Sequence, residues 1–312
     1  MQTSWGDLEV SDAHVHFFSS GFFTALAKQR SALRGVATAE SAESIAQLLG
    51  WAAPPAEPEG LAALWVREVD RHGVHRAALI ASVPADEHSV AAAVGRYSER
   101  FYGYFMLNPL APDAAERVRS ALDEGKLQTV CLFPAMHRFS MQDQVVRAVL
   151  DLAAAHARAA VFVHCGVLTV GVRGKLGLPS AFDMRFSNPI DLHAVALAYP
   201  KLKFVVPHFG AGYFREALML CDLCPNVYLD TSSSNSWTRY QPEAQDLATV
   251  FRRALDVAGA GRLLFGTDSS YFPRGWNSAI FESQSSALRQ IGVSAPDARR
   301  IFGENLQQLL AR

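Results

Sequence analysis

The feature that most constrains the fold is an alternation running from about residue 60 to the C-terminus. Short, almost continuously apolar runs are each followed by a longer amphipathic stretch. The pattern predicts strands over 76–83, 101–107, 127–133, 159–164, 203–208, 227–231 and 262–267. Helices are expected over 61–72, 87–100, 114–124, 142–157, 189–198, 212–223, 242–258, 277–290 and 297–311. Leu8-Glu9-Val10-Ser11 adds an N-terminal strand. Runs such as Ala160-Val161-Phe162-Val163 and Phe204-Val205-Val206 are apolar on both faces, as parallel strands covered by helices must be. Eight such units over about 250 residues predict an α/β fold, a (β/α)8 TIM barrel. A doubly wound open sheet is the structural rival. It wants a glycine-rich turn after its first strand, where this chain has Phe17-Phe18-Ser19-Ser20.

Residues 17–60 interrupt the rhythm. They contain Phe22-Phe23, a helical piece near 42–49, and Pro54-Pro55-Ala56-Glu57-Pro58. The stretch is too long for an ordinary connection. It is read as an insertion after the first strand, a lid over the barrel mouth with Phe22 or Phe23 facing the pocket. Residues 1–312 form a single domain on this reading.

The net charge is −1, from 29 basic and 30 acidic residues. No basic stripe points to nucleic acid. No apolar run is long enough for a bilayer, and the N-terminus has no signal-peptide pattern. Four cysteines in 312 residues make no disulfide framework. The lone Cys221-Asp222-Leu223-Cys224 motif closes a predicted helix and reads as structural, and Cys131 and Cys165 read as buried thiols. The expected setting is cytoplasmic and the expected partner a small-molecule substrate, with neither nucleic acid nor membrane; a homodimer is left open.

Functional groups of such barrels sit at the C-terminal ends of strands. The first strand runs into Asp12-Ala13-His14-Val15-His16, whose alternate side chains share one face. The fifth ends at His164, the sixth at His208 and the eighth at Asp268. Of ten histidines, four therefore fall at three strand ends, a grouping that separates them from His72, His75, His88, His156 and His193 on or beside helices.

These pieces, with Val163-His164-Cys165-Gly166, the run 200–210 ending in Pro207-His208-Phe209-Gly210, Leu264-Phe265-Gly266-Thr267-Asp268 and the closing run 298–306, resemble the amidohydrolase-2 branch of the amidohydrolase superfamily. That branch includes aminocarboxymuconate-semialdehyde decarboxylase and its relatives. The resemblance implies metal ligands at His14, His16, His164 and Asp268. It makes His208 the catalytic acid/base or the electrophile that polarises substrate, with Asp268 catalytic as well. Imidazoles and a carboxylate suit zinc, with manganese as the other candidate. The cation would lower the pKa of a water towards about 7. Two-metal members of the superfamily often place a lysine or glutamate on the fourth strand. Here it reads Leu127-Gln128-Thr129-Val130-Cys131-Leu132-Phe133, with Lys126 at the wrong end, so one divalent ion is expected.

Phe17, His137, Arg138, Arg185, Trp237 and Arg274 lie in or beside predicted loops on the catalytic side and are the candidate substrate contacts. Arg173 and Arg239 share that placement. Arginine forks pair with carboxylates, and the aromatic surface suits a small cyclic or aromatic acid. The expected function is metal-dependent hydrolysis of an ester, lactone or amide by metal-activated water. Non-oxidative decarboxylation of an aromatic or unsaturated acid is the alternative, and the ligands do not separate the two. A non-catalytic binding protein with a structural metal is the third reading; a titratable group beyond the ligand set, His208, argues against it.

Overall fold

The computed structural model describes residues 1–38, 40–180, 182–232, 236–243 and 245–310. Eight parallel strands pair in chain order: β1 Ser11–Phe17, β2 Arg76–Ala81, β3 Phe101–Leu107, β4 Thr129–Leu132, β5 Ala160–Val163, β6 Lys203–Val206, β7 Val227–Asp230 and β8 Leu263–Leu264. The seam between β8 and β1 is closed by backbone bonds. Ala13 N donates to Phe265 O at 2.8 Å and His16 N to Ser269 O at 2.7 Å. The sheet is thus a barrel with helices outside it, as the alternation predicts.

The strands are apolar on both faces because both faces are buried. Every residue of β3 is buried. One set of alternate residues, including Ala78, Ile80, Tyr104 and Phe162, fills the barrel interior. The other set, including Leu79, Phe105 and Val161, packs beneath the helices. The C-terminal helix Asn305–Leu310 adds Leu306, Leu309 and Leu310 to the interior cluster. Its approach needs Gly303, since a Cβ there would lie 2.0 Å from Glu9 O.

The first strand differs from expectation. Leu8, Glu9 and Val10 lie outside it, and the strand is Ser11–Phe17, so His14 and His16 sit inside it. The cause is pairing on both sides: Ser11 to Phe17 register against Arg76 to Ala81, with an irregularity between Asp12 and Val15, while β8 binds the other edge. Asp12 takes no place at the mouth. It is buried in the seam, where it accepts from His14 N, Thr267 N and Trp276 Nε1 at 2.9, 3.1 and 2.7 Å.

Residues 17–60 hold two helices, α1 Ser20–Leu33 and α2 Ala42–Leu49, before α3 Pro58–Arg71. Ser19 caps α1 and donates to the buried Asp86 at 2.6 Å, which fixes the insertion to the loop after β2. The four cysteines are buried and free. Among the described residues, no helix is long and apolar enough to cross a membrane.

Candidate metal centre and its cavity

His14 and His16 leave β1 on one face, their ring centroids 5.2 Å apart. His14 Nδ1 lies 2.6 Å from Asp230 Oδ2, at the end of β7. A carboxylate only accepts, so Nδ1 carries a proton and Nε2 is the nitrogen left to bind a cation. His16 Nδ1 lies 2.7 Å from Ser82 Oγ, whose own proton goes to Ile80 O at 2.9 Å. Ser82 therefore accepts from His16, and the second Nε2 is left in the same way. Both point at Asp268 Oδ1, at 3.4 Å from His14 and 3.0 Å from His16. Three ligand atoms converging on one point call for a cation between them, and these three residues form a group that could hold a metal ion.

His164 stands beside this group. Its ring stacks on Phe133 at 5.4 Å and lies 5.3 Å from His208. Its buried Nδ1 has no hydrogen-bond partner among the described residues. His164 lies outside the converging group of three, and its orphaned buried nitrogen is what makes it the candidate for a fourth ligand. Gly166 sets the His164 loop directly on the His208 loop. Its φ is +80°, and a Cβ there would meet Gly210 O at 2.2 Å.

His208 is buried, its ring 5.0 Å from that of His14. Its Nδ1 lies 3.0 Å from Ser232 O and 3.0 Å from Ser232 Oγ. A carbonyl cannot donate, so Nδ1–H points to it and Nε2 is left as an acceptor towards the cavity. His208 and Asp268 both have φ of +55°, a conformation costly for residues with a side chain and concentrated at functional sites.

The electrostatics follow from burial and these contacts. Burial alone would lower the pKa of His14, but the charge and hydrogen bond of Asp230, with Asp268, raise it to about 9, so without an ion a proton on Nε2 occupies the place that a cation would take. Burial would raise Asp268, but His14, His16 and His208 hold it far below the carboxylate range. Burial lowers His164 well below the ordinary imidazole value, helped by His208 and His14. Burial lowers His208 too.

The centre opens into a cavity of about 920 Å³. Of the expected substrate contacts, His137, Arg138 and Arg274 line it. Burial lowers the pKa of His137 to about 4, so its ring is neutral at pH 7. Three expectations need correction. Phe17 points to the outer face of its strand and is fully buried beneath the helices. Trp237 is buried against Phe209 and Phe214. Arg185 is exposed and pairs with Asp183. None of the three is among the lining residues. Phe18, next to Phe17, does line the cavity, stacked on His16 at 5.3 Å and on Phe22 at 3.9 Å. Phe23 turns away to Tyr271 and Trp51. Sequence reasoning missed Asp230, Ser232 and Ser82. A carboxylate at the end of the seventh strand was the available signal for the first; nothing local marks the two serines.

An Amidohydrolase family model (Amidohydro_2) matches residues 11–311. A segment of 87 residues is 36% identical to Protein fluG of Emericella nidulans, over 28% of this chain and 10% of that protein. The match thus spans about a tenth of that curated relative's length. Among solved structures, 5-carboxyvanillate decarboxylase LigW from Sphingomonas paucimobilis is similar, with TM-score 0.64 and 14% identity over 97% of this chain and 99% of that one. The 5-carboxyvanillate decarboxylase of Novosphingobium aromaticivorans, solved with manganese and 4-hydroxy-3-methoxy-5-nitrobenzoic acid, gives 0.63 and 13%, over 99% and 97%. A probable 2-pyrone-4,6-dicarboxylic acid hydrolase from Acinetobacter baumannii, with citric acid bound, gives 0.60 and 13%, over 98% and 100%. At such identities these structures share a fold with this chain.

Proposed function

This chain belongs to the amidohydrolase-2 family, as an enzyme of the amidohydrolase superfamily, and from that premise we propose that it is a metal-dependent hydrolase. The bond cleaved is an ester, lactone or amide of a cyclic or aromatic carboxylate. The observation that carries this reading is the convergence of His14 Nε2, His16 Nε2 and Asp268 Oδ1, with His164, whose buried Nδ1 has no partner among the described residues, lining the same cavity. His14, His16, His164 and Asp268 would hold one divalent ion, zinc by the chemistry of an imidazole-rich set, with manganese the alternative. Once bound, such an ion supplies Lewis acidity and acidifies a water.

The protein's own groups supply the rest. Asp230 holds His14 in the tautomer that presents Nε2, and Ser82 does the same for His16. Ser232 fixes His208 so that its Nε2 is the acceptor left for substrate, which makes His208 a proton acceptor in the resting state. Arg274 and Arg138, on the cavity wall, are placed to meet a carboxylate. The helix α1 lines the cavity through Phe22, Leu26 and Gln29 and acts as a lid that excludes water.

The two reactions of the family separate by product. Elemental analysis after gentle purification is paired with a screen of lactones, esters and carboxylic acids that reads released acid and released CO2 separately. About one divalent ion per chain, with acid release, is the expected result. CO2 release without hydrolysis would replace this reading with decarboxylation. Full activity without metal, unaffected by chelators, would remove both.

A further inference from the structure

The cavity is larger and more cationic than a one-ring acid needs. At about 920 Å³ it lies near the top of the range for sites that bury drug-sized ligands. Among its described lining residues Asp268 is the single carboxylate, and it faces His14 and His16. Against it stand Arg138, Arg173, Lys175 and Arg274.

Two of these cations lie on a short helix, Gly171–Lys175, in the loop after β5. Among the described residues Arg173 bonds only neutral acceptors. Its Nε and Nη2 reach Pro179 O at 3.0 and 2.8 Å, and its Nη1 crosses to Gln29 Oε1 of α1 at 2.7 Å. Partial burial pulls its pKa below the ordinary guanidinium value, as expected for a charge short of counter-charge. Lys175 is exposed and has no ion-pair partner among the described residues. An apolar wall of Phe18, Phe22 and Leu26 on one side, and Leu168, Val170 and Val172 on the other, belongs to the same cavity.

We propose that Arg173 and Lys175 form a second anion subsite of this cavity, and that the substrate is an acid with a second anionic group joined to the first by an apolar body. This rests on the reading of the His14–His16–Asp268 centre as the place of reaction. Arg173 Nη1 can exchange the neutral Gln29 oxygen for a carboxylate, which is the better acceptor. Lys175 adds a mobile charge at the rim. A substrate of one ring and one carboxylate would leave much of the space empty and both cations unmatched.

The test is binding, read by calorimetry on the metal-loaded protein at low salt. Decanedioate is compared with its monomethyl ester, which matches it in length and lacks one charge. The diacid should bind about tenfold tighter, on the order of 1.4 kcal/mol, and the preference should shrink as salt rises. Lys175→Glu, an exposed substitution, should reduce the diacid to the level of the monoester; Arg173→Lys, which keeps the charge and loses the fork, should act in the same direction. Equal affinities overturn the proposal, as does a preference that survives both substitutions. Absence of binding by the diacid at about 10 mM overturns it as well. Because the readout needs no turnover, its failure is separable from failure of the functional reading. Acid release without charge preference rejects the subsite alone, and charge preference without hydrolysis rejects the reaction alone.

Discussion

His14 and His16 turn Nε2 to the same carboxylate oxygen because Asp230 and Ser82 hold their other nitrogens. Asp230 is therefore a positioning residue as well as a charge. Asp230→Asn can place its amide nitrogen opposite His14 Nδ1 and reverse the tautomer. Metal affinity should then fall about 10- to 100-fold, the usual cost of losing such a partner, measured by competition with a chelating dye. Unchanged affinity would make Asp230 a mere packing group. His208 behaves differently, since its Nδ1 is held by Ser232 while that of His164 has no partner among the described residues. His208→Ala should keep its metal and lose about 100- to 10,000-fold in turnover. A variant that loses its metal, and recovers full rate when metal is restored, would make His208 a ligand. His164, His208 and Asp268 were legible because they follow strands, and His14 and His16 because alternate strand residues share a face. Ser82 and Ser232 were not, because a serine's role depends on which proton it has already given away, and that is a fact of tertiary structure.

The strands were readable as elements because burial on both faces leaves continuous apolar runs, as in β3 and β5. Their ends were less so. The first strand shifted to Ser11–Phe17 because pairing with β2 and β8, not local propensity, decides where it begins. That shift is also why Phe17 faces outward and Phe18 takes the place beside His16. In the insertion, α1 has a weaker apolar periodicity than its neighbours, since Phe22 and Leu26 face the cavity while Phe23 and Ala27 face the core. Phe22 stacks on Phe18, which stacks on His16, so a chain of rings joins α1 to the centre. Phe22→Ala should therefore raise KM and lower turnover, at a cost of about 3 kcal/mol of stability for a buried ring that borders a cavity. Steady-state kinetics beside a denaturation midpoint would check this. Unaltered kinetics with a large loss of stability would make α1 a structural cover only.

The eightfold alternation made the whole barrel legible before any site was considered, but not what closes it. Closure depends on Asp12, buried between β1 and β8, where it binds Thr267 and Trp276. Spacing alone groups Asp12 with the two histidines, but the irregularity between Asp12 and Val15 breaks the alternation, so Asp12 registers with Ala77 of the outer set and His16 with Ile80 of the inner one. The proposed ligands lie across that same seam: His14 and His16 on β1, Asp268 just past β8, and His164 from the opposite side on β5. An ion binding all four would act as a clasp on the folded barrel and would have no counterpart in the unfolded chain. Ligand linkage then sets the size of the effect. Metal at a thousand times its Kd stabilises by about 4 kcal/mol, or roughly 10 °C for a domain of this class. Stripping metal with a chelator should lower the melting temperature by that order, and re-adding zinc or manganese should restore it. His208→Ala should keep the whole shift, while His16→Ala or Asp268→Ala should lose most of it. A melting temperature indifferent to chelation in the parent protein would mean that these side chains hold no ion in the native barrel.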